Sequence, residues 1–220
     1  MTFDEGNFRH LCDHLALSDP DLHKIIETYG YPPLWHRQPT FESLIHYILE
    51  QQVSLASALA AMQKLKANLG KITPANLLSL SDEELKASYF SRQKIIYARC
   101  LANAIQNRTL VVNELLSKSN EEVSTELQKI KGIGNWTTEV FLMMSLGRAD
   151  VFPLGDVALI TSTREVKKLL PSAGKKEIEI IAETWRPYRS VAAFLLWHAY
   201  LEKRKQRKAI SLTRNKKQAV

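Results

Sequence analysis

Leu127-Gln-Lys-Ile-Lys-Gly-Ile-Gly-Asn-Trp-Thr-Thr138 is the stretch on which the reading of this chain turns. Two glycines, Gly132 and Gly134, flank one apolar residue, Ile133. Glycine adopts positive φ at little cost and leaves the neighbouring backbone N–H groups uncovered, so the pair predicts a tight turn on which a phosphate can dock. Asn135 is placed to cap a helix running through Trp136, Val140, Phe141 and Met144, which would aim those N–H groups out of a positive helix terminus.

Downstream, Asp150-Val-Phe-Pro-Leu-Gly-Asp156 sets Asp156 behind a Pro153-Leu-Gly155 turn, at the mouth of the next helix, where a negative charge is favoured. A plain N-cap aspartate would have the same sequence. Helix signals dominate elsewhere. Asp19-Pro20 opens a helix to Tyr29, and Thr40 precedes Phe41, Leu44, Ile45, Ile48 and Leu49 at helical spacing. Ser54, Thr73-Pro74 and Ser91 start others, Gly70 ends one, and Ser81-Asp-Glu-Glu84 and Ser119-Asn-Glu-Glu122 read as capping boxes. Further helices are expected near 157–169, 175–185 and 188–205, making about ten. Thr109-Leu-Val-Val112 is the one β-like run, so the fold class is all-α.

The 220 residues suffice for a substantial core, and 45% hydrophobic content is that of a globular protein. No apolar run approaches a membrane span, and Met1-Thr-Phe-Asp-Glu-Gly6 lacks the basic-then-apolar order of a signal peptide. No membrane partner is expected; the location is cytoplasmic and nucleoid-associated in a bacterium, or nuclear in a eukaryote. Cys12 and Cys100 are too few for a zinc site or an iron–sulfur cluster and read as buried free thiols. Of the formal charge of +7, residues 203–220 supply eight basic side chains and no acidic ones, which leaves 22 basic and 23 acidic residues in 1–202. Net charge is therefore no argument for nucleic-acid binding by the folded body, which would need a local patch and backbone donors. The tail reads as an irregular, solubilising end, with DNA tethering or a nuclear address as the other readings.

Four blocks in order, Ile48-Leu-Glu-Gln-Gln-Val-Ser54, the 127–138 hairpin, the 150–160 loop and Trp185-Arg-Pro-Tyr-Arg-Ser-Val-Ala-Ala-Phe-Leu-Leu-Trp197, resemble the helix-hairpin-helix Gly-Pro-Asp DNA glycosylase superfamily. Within it the chain looks most like 3-methyladenine DNA glycosylase II, the alkylpurine enzymes, over about residues 40 to 200. The resemblance implies two helical lobes around a cleft, within a domain of residues 1–202. One lobe would hold about 54–130, and the other 1–53 with 131–202, followed by the tail 203–220. It also implies a monomer acting on double-stranded DNA that contains alkylated bases.

By the same resemblance Asp156 is the catalytic residue, stabilising positive charge on the sugar or taking a proton from the attacking water. Trp136, Trp197 and Val140 fall at base-pocket positions, where indole faces would select an electron-poor, cationic purine. Trp197 could equally be core, and Trp35, His36 and Tyr47 could extend the aromatic wall or simply pack. Lys131, Gly132, Ile133, Gly134 and Asn135 are the DNA-binding hairpin, with Lys131 where proline is commoner. Gln52 is the candidate wedge for the hole left by a flipped base, though it could merely cap a turn. Asp150 reads as structural, and Arg186 and Arg189-Ser190 as braces of the catalytic loop or phosphate contacts. Relatives that also nick the strand carry a lysine at the position of Trp136, and the endonuclease III branch carries four clustered cysteines; this chain has neither. A monofunctional glycosylase with no cofactor is expected, save a Na+ or K+ on the backbone carbonyls of Gln128, Ile130 and Ile133. The alternatives are a non-enzymatic hairpin protein that binds DNA, or a glycosylase of the same fold acting on another damaged or mismatched base.

Overall fold

The computed structural model describes residues 1–218, with side chains as far as Ala209. Over that range the chain forms twelve α-helices: α1 Phe8–Ser18, α2 Pro20–Tyr29, α3 Phe41–Glu50, α4 Leu55–Leu69, α5 Pro74–Ser79, α6 Asp82–Ala87, α7 Arg92–Gln106, α8 Asn120–Leu127, α9 Asn135–Met144, α10 Val157–Val166, α11 Lys175–Glu183 and α12 Arg189–Gln218. A 3-10 turn spans Val112–Ser117, so the β-like run at 109–112 leads into helical backbone. Among the described residues there is no strand, only an isolated bridge between Thr2 and Arg148. The all-α reading holds, and no helix among them is long and apolar enough to cross a membrane.

Helix starts follow the polar caps in the sequence. Thr40, Ser54, Thr73 and Ser91 each accept a hydrogen bond from the N–H three residues on, and Ser81 and Ser119 close capping boxes with Glu84 and Glu122. Each such cap contributes about 1 kcal/mol to its helix.

The chain divides into two compact units, one of residues 1–35 with 148 onward, the other of 36–147. In the first, α12 packs on α1, α2 and α10 and buries every residue from Ser190 to Ala199. Phe194 is its centre: the rings of Phe3, Phe8, Trp35 and Trp197 all lie within 6.0 Å of it, centroid to centroid. Trp35 is thus a packing residue. Asp19 ties the unit together. It caps α2 through the N–H groups of Asp21 and Leu22, accepts from Lys167 Nζ at 2.6 and 2.7 Å, and receives the buried Trp185 Nε1 at 2.7 Å.

In the second unit α3 is buried on nearly every side by α4, α7 and α9, and α8 packs on α9. Tyr47 is fully buried with its hydroxyl 2.9 Å from Ser145 Oγ, which makes it core rather than wall. Because α3 and α9 pack on helices of the middle segment, this unit spans 36–147, wider than the 54–130 lobe that the resemblance implies.

The segment after residue 202, expected to be irregular, continues α12 to Gln218. Lys and Arg are good helix formers, and Lys203 and Arg207 both reach Glu165 on α10 while Lys205 pairs with Glu202. Residues 219–220 of the tail lie outside the described residues. Cys12 is buried, its thiol pushed up to about 12 by burial, and Cys100 is half-buried.

Candidate functional site

Between α8 and α9 the chain turns on three backbone bonds: Gln128 N–H to Ser124 O, Ile130 N–H to Leu127 O and Ile133 N–H to Ile130 O, at 3.0 to 3.1 Å. Ile130 and Ile133 are buried, whereas Gln128, Lys129, Lys131, Gly134 and Asn135 are exposed. The apolar residues therefore set the register of the turn, and the polar and glycine positions are left outward. The two glycines divide the work that was expected of both. Gly132 has φ +96°, and a Cβ on it would lie 2.0 Å from Cγ of Tyr97 on α7. Gly134 has ordinary φ −106° and open space where its Cβ would be. Gly134, not Asn135, is the N-cap of α9. Asn135 is already helical, and no side chain caps this terminus. That arrangement keeps the first turn of α9 accessible at Gly134 and Asn135, as a docking site for an anion requires.

The loop between α3 and α4 is fastened to the hairpin. Gln51 Nε2 donates to Gly132 O at 2.8 Å and to Thr137 Oγ1 at 2.9 Å. The next residue, Gln52, is exposed and left-handed at φ +57°, a conformation that non-glycine residues adopt only where their surroundings hold them. On α9, Trp136 is half-buried and Val140, one turn later on the same face, is 2% exposed.

In the other unit the loop before α10 is braced from below. Arg189 Nε meets Asp150 Oδ1 at 2.6 Å and its NH1 meets Glu183 Oε1 at 2.7 Å, with Arg186 bonded to the same two carboxylates. Arg186 and the charge of Arg189 hold Glu183 below the usual carboxylate range. Ser190 Oγ donates toward Arg148 O and accepts from Val151 N–H. Asp150, Arg186, Arg189 and Ser190 therefore form the scaffold of the loop. Asp156 stands at its end as the N-cap of α10: one oxygen, Oδ1, accepts from Leu159 N–H at 2.8 Å and from Trp197 Nε1 at 3.1 Å. Trp197 is 8% exposed. The structure thus brings Asp156 and Trp197 together in one unit, and the hairpin, Gln52, Trp136 and Val140 in the other. A carboxylate oriented by an indole N–H can balance cationic charge on a reacting group, and the hairpin can hold a phosphate.

Three features escape a reading of the sequence: Gln51 as the fastener, Tyr97 as the reason for Gly132, and the bond from Trp197 to Asp156. Each joins residues tens of positions apart. The polar pair Gln51-Gln52 at the end of an apolar helix is the only local signal of any of them.

The chain is 30% identical over 191 residues to DNA-3-methyladenine glycosylase 1 of Schizosaccharomyces pombe, covering 84% of each. A solved S. pombe 3-methyladenine DNA glycosylase in complex with abasic DNA superposes with TM-score 0.77 at 30% identity, covering 86% of this chain and 95% of that one. A DNA-3-methyladenine glycosidase from Bacillus halodurans gives TM-score 0.69 at 32% identity, over 91% of both chains. The family described as HhH-GPD superfamily base excision DNA repair protein matches residues 45–187, and the chain belongs to that superfamily.

Proposed function

We propose that this chain is a monofunctional DNA glycosylase that extrudes alkylated purines from duplex DNA and hydrolyses their N-glycosidic bond. The observation that carries the reading is Asp156, held at the N-terminus of α10 by Leu159 N–H and Trp197 Nε1. Both donors bind the same oxygen, so the carboxylate is anchored at the mouth of α10. As the glycosidic bond lengthens, positive charge grows on the sugar, and a fixed carboxylate stabilises it without reorganising. The relatives named for 3-methyladenine, one of them solved with abasic DNA, which is what base release leaves, support the substrate class.

The remaining assignments follow the same reading. The exposed N–H groups at Gly134 and Asn135, with Lys131 beside them, take a phosphate of the DNA backbone. Gln52 fills the gap in the stack. Trp136 and Val140 line the base pocket, and an electron-poor purine gains roughly 0.5–2 kcal/mol against an indole face. With tryptophan at residue 136, the position where strand-nicking relatives carry their Schiff-base lysine holds no amine, so the product is an intact strand with an abasic site. The carbonyls of Gln128, Ile130 and Ile133 would hold a Na+ or K+ against the phosphate. Carbonyl oxygens suit such a hard ion, and Ile130 O, already accepting from Ile133 N–H, still has a second lone pair. The enzyme acts as a monomer.

Incubation with methylated duplex DNA tests the reading. Released 3-methyladenine or 7-methylguanine, with strand cleavage only after alkali, is the expected result. Binding without release of any base would make the chain a DNA-binding protein alone, and a nick before alkali would contradict the monofunctional assignment.

A further inference from the structure

We propose that Gln51 is a positioning residue that couples phosphate binding at the hairpin to base extrusion at Gln52. The inference rests on the reading of the hairpin and Gln52 given above and concerns how the two are kept in register.

An amide nitrogen carries two hydrogens, and both of those on Gln51 are used. One goes to the carbonyl of Gly132, inside the turn, and the other to the hydroxyl of Thr137, in the first turn of α9. The two acceptors lie on either side of Gly134, so a single side chain spans the segment whose N–H groups face a phosphate. The backbone from which Gln51 springs is itself fixed. Its N–H closes α3 on Ile48 O, Leu49 O accepts from Lys94 Nζ at 2.6 Å, and Glu50 is gripped by Arg37 at 2.6 and 3.0 Å. Arg37 in turn lies 4.8 Å over the Tyr47 ring and donates its N–H to Met144 O at the end of α9. Burial lowers the Lys94 pKa, because desolvation disfavours the charged form.

Gln52 follows directly with its left-handed backbone. Such a residue costs about 1–2 kcal/mol and persists only where neighbouring bonds over-determine it. Here those bonds belong to Gln51. A phosphate on the hairpin fixes where the duplex lies, and the amide of Gln51 fixes where the wedge stands relative to that phosphate. Without it, the hairpin would still bind DNA, but the wedge would be free to miss the gap.

The test uses the full chain and a duplex carrying 2-aminopurine beside a single alkylated purine. Four quantities are measured: affinity for undamaged duplex, the fluorescence rise on unstacking, single-turnover excision and the melting curve. For Gln51→Ala, and for Gln51→Glu, which sets a carboxylate against the Gly132 carbonyl, duplex affinity should stay within about threefold. The unstacking equilibrium and excision should fall together by about ten- to thirtyfold, the effect of two lost hydrogen bonds. Thr137→Val removes only one acceptor and should lose about three- to fivefold; it also decides the matter if the Gln51 variants fail to fold. Equal losses in affinity and unstacking, or unchanged unstacking in a folded variant, overturn the coupling. A wild-type protein that unstacks the duplex yet releases no base would instead overturn the glycosylase reading and leave the coupling standing.

Discussion

At Gly132 a methyl group would sit 2.0 Å from the Tyr97 ring on a backbone at φ +96°, whereas at Gly134 the same group would meet nothing. Gly132→Ala should therefore cost about 2–4 kcal/mol of stability in urea denaturation, from overpacking and left-handed strain together, with DNA absent. Gly134→Asp should leave the melting curve unchanged and weaken binding to every duplex, because it sets a negative side chain at the proposed phosphate site. Unchanged affinity across a salt titration would remove the hairpin from the DNA interface. Asp156 separates cap from catalyst in a similar way: Asn caps helices as well as Asp does but bears no charge. Asp156→Asn should keep DNA affinity and lose about a hundredfold or more in single-turnover excision. Near wild-type excision by the folded variant would leave Asp156 a structural cap. Trp197 offers two distinguishable roles, its N–H toward Asp156 and its ring face. Trp197→Phe keeps a ring and removes the donor, so it should slow excision of a cationic and a neutral lesion alike. Trp197→Ala should penalise the cationic lesion further if the face also stacks on the base.

Three separate elements meet at Asp19: the start of α2, Lys167 at the end of α10, and Trp185 beyond α11. Burial alone would raise its pKa, but the hydrogen bonds from Lys167 and Trp185, the charge of Lys167 and the Leu22 N–H outweigh it, and the carboxyl is held below its ordinary value. A depressed carboxyl contributes stability above its unfolded pKa of about 3.9, and that contribution is lost as pH falls through the lower folded value. Asp19→Ala should accordingly cost roughly 2–3 kcal/mol in urea at pH 7, since it leaves the buried Trp185 N–H unsatisfied and Lys167 with Asp21 alone, and clearly less at pH 3. An equal cost at both values would mean the bonds work without the charge. Asp19 also shows how far sequence reaches. Its capping of α2 was legible from Asp19-Pro20, because a cap and its N–H partners are two or three residues apart. The capping boxes at Ser81 and Ser119 were legible for the same reason. Its bonds to Lys167 and Trp185 span more than 140 positions and leave no local trace. The same division runs through the site: the hairpin and the Asp156 cap are local patterns, while Gln51 to Gly132 and Trp197 to Asp156 exist only after folding. Helix α1 carries weak sequence signals, with no acidic residue in its first turn and no basic residue in its last.

Over the whole molecule, charge and chemistry are unequally placed. Residues 1–202 hold Asp156, the hairpin and Gln52 with 22 basic against 23 acidic side chains, while residues 203–220 hold eight basic ones and no known chemistry. A nearly neutral body can grip a phosphate through backbone donors, but long-range attraction to duplex DNA needs net positive charge. The extension of α12 supplies that charge. Part of it is engaged within the protein, Lys203 and Arg207 with Glu165 and Lys205 with Glu202, all at the surface, where such pairs are weak and give way readily to phosphate. Each phosphate neutralised on duplex DNA contributes about 0.9 to the slope of log affinity against log salt. A chain ending at Glu202 keeps the buried run from Ser190 to Ala199, so its melting curve should be retained. Its salt slope should be shallower by roughly 3 to 7, the range for between about half and all eight charges meeting phosphate. Binding to undamaged duplex at low salt should weaken correspondingly, while single-turnover excision with saturating enzyme should not change, because none of these residues belongs to the site. A slope equal to that of the full chain would mean that the basic helix serves solubility, and that the hairpin unaided accounts for the attraction to DNA.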